Sequence, residues 1–381
     1  MTVPYRRMTP RRPDEEHRAS TPLELLFDLS FVVAVASAAA MLHHSLTENH
    51  IGHGVLGYVT VFFAIWWAWL NFTWFASAYD TDDAVYRLTT LVQITGVLVL
   101  AAGVPRAFEG DFAVVTAGYV VMRVAMVSQW LRAWHGDPAR RPAAMRYAVG
   151  ISVVQVGWIA RLFLPDGLLL IAFFVLAVAE LAVPVWAERA TGSLFHREHI
   201  VERYGLFTLI VLGESILAAS NAIRAGLDLG HDVPALVSLA FAGLVIVFAL
   251  WWLYFDHPAQ ELLTSLRASM TWGYGHYLVF ASVAAVGAGL EVAVDYGLHE
   301  SHLPSLAAAM TVTVPVAVYL LVVWFLQVCP AGRGPVVWAF PIAAVLVLAA
   351  SFGPAPIHVT AGLLAVLVAV VVTVRRAPGS S

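Results

Sequence analysis

Charge is what this chain has least of. Of its 381 residues only 12% are Asp, Glu, Lys or Arg, about half the share in a soluble domain. Lysine is missing altogether, so all 21 basic residues are Arg. The single cysteine, Cys329, excludes an intrachain disulfide and any cysteine cluster, and its setting "QVCPAG" suggests an inert thiol at a helix end. No GxxxxGK[ST] phosphate loop, HExxH pair or GxSxG elbow is present, so the common nucleotide, zinc-protease and hydrolase signatures are lacking. No basic soluble segment is present to bind nucleic acid. Short alternating strands are absent too, which argues against a membrane β-barrel.

What the chain has is apolar length. It is 60% hydrophobic, and runs of about 20 apolar residues recur from end to end, each able to cross a hydrocarbon core as a helix. This predicts an all-α polytopic membrane protein. Twelve spans are expected, near 21–42, 55–79, 85–104, 112–134, 144–164, 167–186, 200–222, 234–255, 270–290, 304–328, 335–351 and 356–374. The tail "MTVPYRRMTPRRPDEEHRAS" has no signal-peptide core. Glu24 and Asp28 interrupt the next segment, so it reads as a first span and not as a cleaved leader. With both termini cytoplasmic, the inner segments collect nearly all the arginines. Only Arg106, Arg161 and Arg224 fall outside and Arg123 within a span, as the positive-inside rule demands.

Two stretches echo each other. "LFDLSFVVAVASAAA" (26–40) aligns with "LFTLIVLGESILAAS" (206–220) at an offset of 180, and "VFFAIWWAWLNF" (61–72) with "VIVFALWWLYFDH" (245–257) at 185. Two echoes in the same order predict two parallel six-helix repeats. The expected division is a tail at 1–20, repeats at 21–190 and 191–376, and a tail at 377–381, with the break in "WAERATGSLFHREH".

A charge at mid-bilayer costs about 2.5–3.5 kcal/mol on insertion scales, so it faces a protein interior, pairs, or serves a function. Glu24 and Asp28 lie one turn apart on one face of the first span. Glu24 is close enough to the helix start to cap it or to meet Arg18. Glu214 sits midway along the seventh span between Gly213 and Ser215. Arg123 lies near the centre of the fourth, with Gln129 further along, and Arg161 ends the fifth after Gln155 and Trp158. Arg123 keeps its proton and needs a carboxylate, an anion or water. Asp28 or Glu214 is the expected partner. The candidate substrate or proton site is therefore Asp28, Glu214, Arg123, Glu24, Ser215, Gln129 and Glu202.

Glu180 and His276 are further buried candidates, His276 reading as a satisfied core histidine. Trp66, Trp67, Trp69 and Trp74 read as packing. Asp80, Asp82 and Asp83, with Arg87 behind them, read as a solvated turn with a local ion pair. His43, His44, His50, His53, His299 and His302 gather with Glu291, Asp295 and Glu300 in loops on the opposite side. Without ligand spacing they read as solvated. No metal or cofactor is expected.

"STPLELLFDLSFVVAVA" and "ERYGLFTLIVLGESILAAS" resemble the two signature segments of the bacterial low temperature requirement protein A family, and "YVVMRVAMVSQWLRA" and the Trp-rich second span fit as well. The likeness runs from about Ser20 to about Val374, and "ERxGLFTLIVLGES" is not generic membrane sequence. It implies a bacterial inner-membrane protein linked to growth at low temperature, without defining an activity. A looser analogy, to potassium/proton channels built of six-helix repeats, rests only on Phe27-Asp28 in the first helix.

The expected function is a secondary transporter or channel for a small solute or ion, proton-coupled through the buried carboxylates. Its partners would be the bilayer and that solute, and a homo-oligomer is compatible with the sequence. The alternative is a membrane-embedded enzyme or lipid-handling protein, for which Glu24, Asp28, Glu202 and Arg203 could supply acid–base groups. Depth separates the two. Midplane charges favour transport, and a leaflet-level pocket favours enzymology.

Overall fold

A computed structural model describes residues 5–11, 19–191, 195–229, 233–257, 259–331 and 334–376, with no strand among them. The helices are α1 (Pro22–Thr47), α2 (Ile51–Ala78), α3 (Ala84–Phe108), α4 (Ala113–Gly136), α5 (Arg141–Arg161), α6 (Asp166–Glu188), α7 (Arg197–Leu229), α8 (Val233–Phe255), α9 (Leu266–Gly297), α10 (Ser305–Val323), α11 (Pro335–Ala350) and α12 (Pro356–Arg376). A π-helical turn, Trp324–Val328, extends α10 into Cys329–Ala331. Among the described residues, ten helices, all except α7 and α11, are long and apolar enough to cross a membrane. This is a multi-pass membrane protein. Arg12, Arg18, Arg333 and the tail 377–381 lie outside the described residues.

The start of α1 follows from its sequence. In "TPLE", Pro22 takes the first helical position, where its missing N–H is no loss. The Glu24 N–H donates to Thr21 Oγ1 at 3.3 Å, and the Thr21 N–H donates to Glu24 Oε2 at 2.8 Å. This reciprocal capping box satisfies two otherwise orphaned donors. Glu24 is thus tied to the helix start, as one of its two expected roles requires.

The turn before α3 corrects the expectation of a solvated loop. Asp82 and Arg87 do form an exposed local pair, at 2.7 Å. Asp83, however, is fully buried. Its Oδ1 caps α3 by accepting the Tyr86 N–H at 2.7 Å, while Oδ2 accepts the Arg6 N–H and Arg132 Nη2, both at 2.7 Å. The described part of the N-terminal tail is therefore seated on the bundle. Arg7 Nε donates to the Gly136 carbonyl at 2.8 Å, Arg11 pairs with Asp80 at 2.8 Å, and Met8 is buried against Gly136, where no side chain would fit.

By packing, the chain forms two compact units, Met1–Ala38 with Thr60–Tyr204 and Ala39–Val59 with Gly205–Ser381. In the first, α3 packs on α4, α4 on α5 and α5 on α6. In the second, α9 packs on α10, α10 on α11 and α11 on α12, with α8 also against α12. The second unit corrects another expectation. α1 and α9 extend past their expected ends, so His43, Glu291 and Asp295 are helical and half-buried, not loop residues. His43 Nε2 meets Asp295 Oδ2 at 2.6 Å, Thr47 donates to the same oxygen at 3.1 Å, and His43 Nδ1 lies 3.7 Å from Glu291.

Burial pushes the Asp83 carboxyl up, but the Arg6 and Tyr86 N–H groups and the Arg132 guanidinium outweigh it and hold it below the usual carboxylate range. The stabilisation is thus complete at neutral pH and fades as pH falls through that lowered range. Replacing Asp83 by Ala is expected to cost about 1–2 kcal/mol at neutral pH. Thermal unfolding in detergent across acidic pH should show the gap between the two proteins closing towards acid.

Candidate functional site

The first turns of α1 carry two carboxylates, and the first turns of α7 carry two bases at the same spacing. Glu24 and Asp28 are four residues apart, as are His199 and Arg203, so each pair shares one helix face. In the first unit these faces meet. Arg203 Nε and Nη2 donate to the two oxygens of Asp28 at 2.8 and 2.6 Å, a forked guanidinium–carboxylate pair. Arg203 Nη1 lies 3.2 Å from Glu24 Oε1, and His199 Nε2 lies 3.1 Å from that oxygen. From α2, Trp69 Nε1 donates to Asp28 Oδ1 at 2.7 Å, and Thr73 Oγ1 lies 3.4 Å from Arg203 Nη2. The Phe72 ring lies 5.9 Å from the guanidinium. Asp28, His199 and Arg203 are fully buried, and Glu24 is 1% exposed.

Among the described residues, two carboxylates and an imidazole surround one guanidinium, which keeps its proton in any protein setting. Full burial makes any charge left unpaired here costly. Asp28 is six residues into α1, about 9 Å from the helix start.

Arg123 has a different partner from either expected one. Asp28 is committed to Arg203, and Arg123 pairs with Glu180 of α6 at 3.4 Å. Arg123 also donates to the Tyr119 hydroxyl one turn back. The Glu180 carboxylate accepts from Trp67 Nε1 at 2.8 Å, Trp158 Nε1 at 3.2 Å and the Tyr119 hydroxyl at 3.2 Å. Both charges lie near the middle of their helices and are at most 3% exposed. α2 thus serves both buried pairs, Trp69 binding Asp28 and Trp67 binding Glu180.

The remaining predicted residues go elsewhere. Gln129 accepts from Arg132 at 3.3 Å, beside the Asp83 cap and away from Arg123. Glu202 accepts the Ser20 N–H at 3.1 Å, so it anchors the chain entering α1. In the second unit, Ser215 donates to the Val283 carbonyl at 3.1 Å and packs against Gly287, a close helix contact. Half-buried Glu214 has Glu291 as a like-charged neighbour. His276 is the satisfied core histidine expected, bonded to the Trp272 carbonyl at 2.7 Å and the Tyr254 hydroxyl at 3.0 Å.

The residues that build this centre lie in the segments with the most distinctive sequence, "STPLELLFDLS" and "HIVERYGLFTLIVLGES". The family model for the bacterial low temperature requirement A protein (LtrA) matches residues 19–375. The chain belongs to the LtrA family. An uncharacterised protein of Rhizobium meliloti (strain 1021) is 27% identical to it over 303 residues, covering 74% of this chain and 72% of that protein. No solved structure matches it. Membership of the LtrA family agrees with the multi-pass architecture and leaves the chemistry to be argued from the buried charges.

Removing one partner of a buried ion pair typically costs about 3–5 kcal/mol, because the other charge is stranded. Arg203→Gln should therefore destabilise this LtrA protein by that order, and Asp28→Asn by a similar amount. The double variant should cost less than the sum of the two, with a coupling of about 1–3 kcal/mol. Denaturation of all four proteins in detergent measures that coupling.

Proposed function

We propose that this LtrA-family protein is a secondary transporter or channel of the bacterial inner membrane, moving a small solute or ion with proton coupling. The observation that carries the reading is the pair of buried ionic centres in one unit, one near a helix end and one at mid-helix, both served by α2. A purely structural bundle does better with apolar packing in such places, since buried ion pairs contribute little net stability. Protonatable groups at several depths are what proton-coupled transport requires. In the second unit, His43, Glu291 and Asp295 with nearby Glu214 would add groups towards the other ends of their helices.

Twelve spans in two parallel six-helix repeats, with both termini cytoplasmic, form part of the same reading. Internal contacts support it. Trp69 bonds Asp28 in the first unit, and Tyr254 bonds Thr208 in the second. The helical partners are 185 and 180 positions apart, matching the sequence echo. Likewise α3 meets α4 closely at Gly96 and Gly118, and α9 meets α10 at Gly289 and Thr311, each pair offset by 193. The packing order of α3 to α6 recurs in α9 to α12. Under this reading the repeats share a frame, and the first places the Asp28 carboxylate where the second places the Thr208 hydroxyl.

An enzymatic reading has one observation in its favour. Ser238 Oγ lies 2.9 Å from His358 Nε2, and His358 borders a cleft of about 530 Å³ in the second unit. Both side chains are exposed and no acid orients His358 among the described residues, so transport is preferred.

Proteoliposomes under an imposed membrane potential test the choice, using a pH-sensitive dye inside the vesicles. Proton flux should exceed that of protein-free vesicles and fall at least tenfold in Glu24→Gln and in Asp28→Asn, with folding intact. Absence of flux across a panel of ions and solutes would reject transport and promote the Ser238–His358 cleft.

A further inference from the structure

The first unit holds another buried cation, and this one has no acid beside it. Arg161, the last residue of α5, is 6% exposed. Its Nε donates to the Leu169 carbonyl at 3.0 Å. Its guanidinium carbon lies 4.5 Å from the centre of the Phe112 ring and 5.7 Å from that of Phe173. No carboxylate pairs with it among the described residues, and Asp166, the nearest in sequence, is exposed. One carbonyl and two ring faces offset only part of the charge, and an arginine does not shed its proton to escape the cost.

The side chain borders a cavity of about 30 Å³, whose wall also includes Thr60, Thr116, Tyr119 and Trp158. No acidic residue among the described residues lines it. A water needs about 10–15 Å³ on this measure, so the space takes two waters or one compact ion. A guanidinium at the edge of an aromatic-walled space favours a negative occupant. The size excludes a phosphate diester, and with it a lipid headgroup.

We propose that this cavity is a binding site for a compact monovalent anion, the size of formate, nitrate or a halide, with Arg161 as its counter-ion. The anion would neutralise a charge that the fold leaves uncompensated. It would also sit one side chain away from the mid-helix pair, because Trp158 and Tyr119 line the cavity and both bond Glu180. The occupant would therefore lie against two of the side chains that hold the Arg123–Glu180 centre. Binding of this kind requires no flux, so the inference stands apart from the transport reading.

The test is thermal unfolding of the full chain in a neutral detergent, with bulky gluconate as the background anion. Adding formate, nitrate or chloride at about 100 mM should raise Tm by about 2 °C or more for at least one of them, while phosphate should not. Arg161→Gln should abolish the rise. Phe112→Ala, which enlarges the cavity, should extend it to acetate and propionate, and this variant decides the matter if Arg161→Gln does not fold. A Tm indifferent to every anion would overturn the proposal. So would a rise that survives in Arg161→Gln, or one that phosphate matches.

Discussion

A guanidinium in an apolar bundle has to find a negative partner, because it can neither lose its proton nor reach water. Much of the first unit is arranged by that demand. Arg203 holds Asp28 by a fork and touches Glu24, which fixes the start of α1 against the start of α7. Arg123 does the same for α4 and α6 through Glu180. Trp67 and Trp69 each add a hydrogen bond to one of these carboxylates, so the Trp-rich stretch of α2 is polar glue as well as packing. Arg161 is a buried cation for which the described residues offer no carboxylate, and its cavity is where the proposed counter-ion fits.

Under the repeat reading, the two units answer this demand differently. Where the first places Asp28 against Trp69, the second places Thr208 against Tyr254, a neutral bond in an equivalent place. Duplication followed by loss or gain of charge would leave a common scaffold with a carboxylate in one copy where the other has a hydroxyl. The most distinctive sequence lies in the first turns of α1 and α7, which together build the cluster.

Much of the architecture was legible because its cause is local. Apolar runs gave the helices, and the place of Glu24 near the start of α1 gave capping as one of its two expected roles. His276 read correctly as a core histidine, since its neighbours "WGYGHYLVF" offer nothing but aromatic packing. Partner choice was not legible. Arg123 was expected to meet Asp28 or Glu214, yet Glu180 is two helices on in sequence, and pairing across helices depends on packing that periodicity does not encode. Asp83 passed for a solvated turn because three acids together usually are one. Only the seated tail, bringing Arg6 to it, makes it a buried cap. The signal that was missed is the His199–Arg203 spacing, which mirrors Glu24–Asp28 and could have matched base to acid in advance.

Proton coupling, as proposed, places an exchangeable proton on the Glu24–Asp28–Arg203–His199 cluster. Infrared difference spectroscopy between about pH 8 and about pH 5, with isotope-labelled carboxyl and imidazole groups, reads that proton directly. The expected result is a carboxyl or imidazole signal that Glu24→Gln and His199→Gln each alter and Glu214→Gln leaves in place. A spectrum unchanged by Glu24→Gln and His199→Gln would mean that the cluster keeps fixed charges, a structural clasp and nothing more.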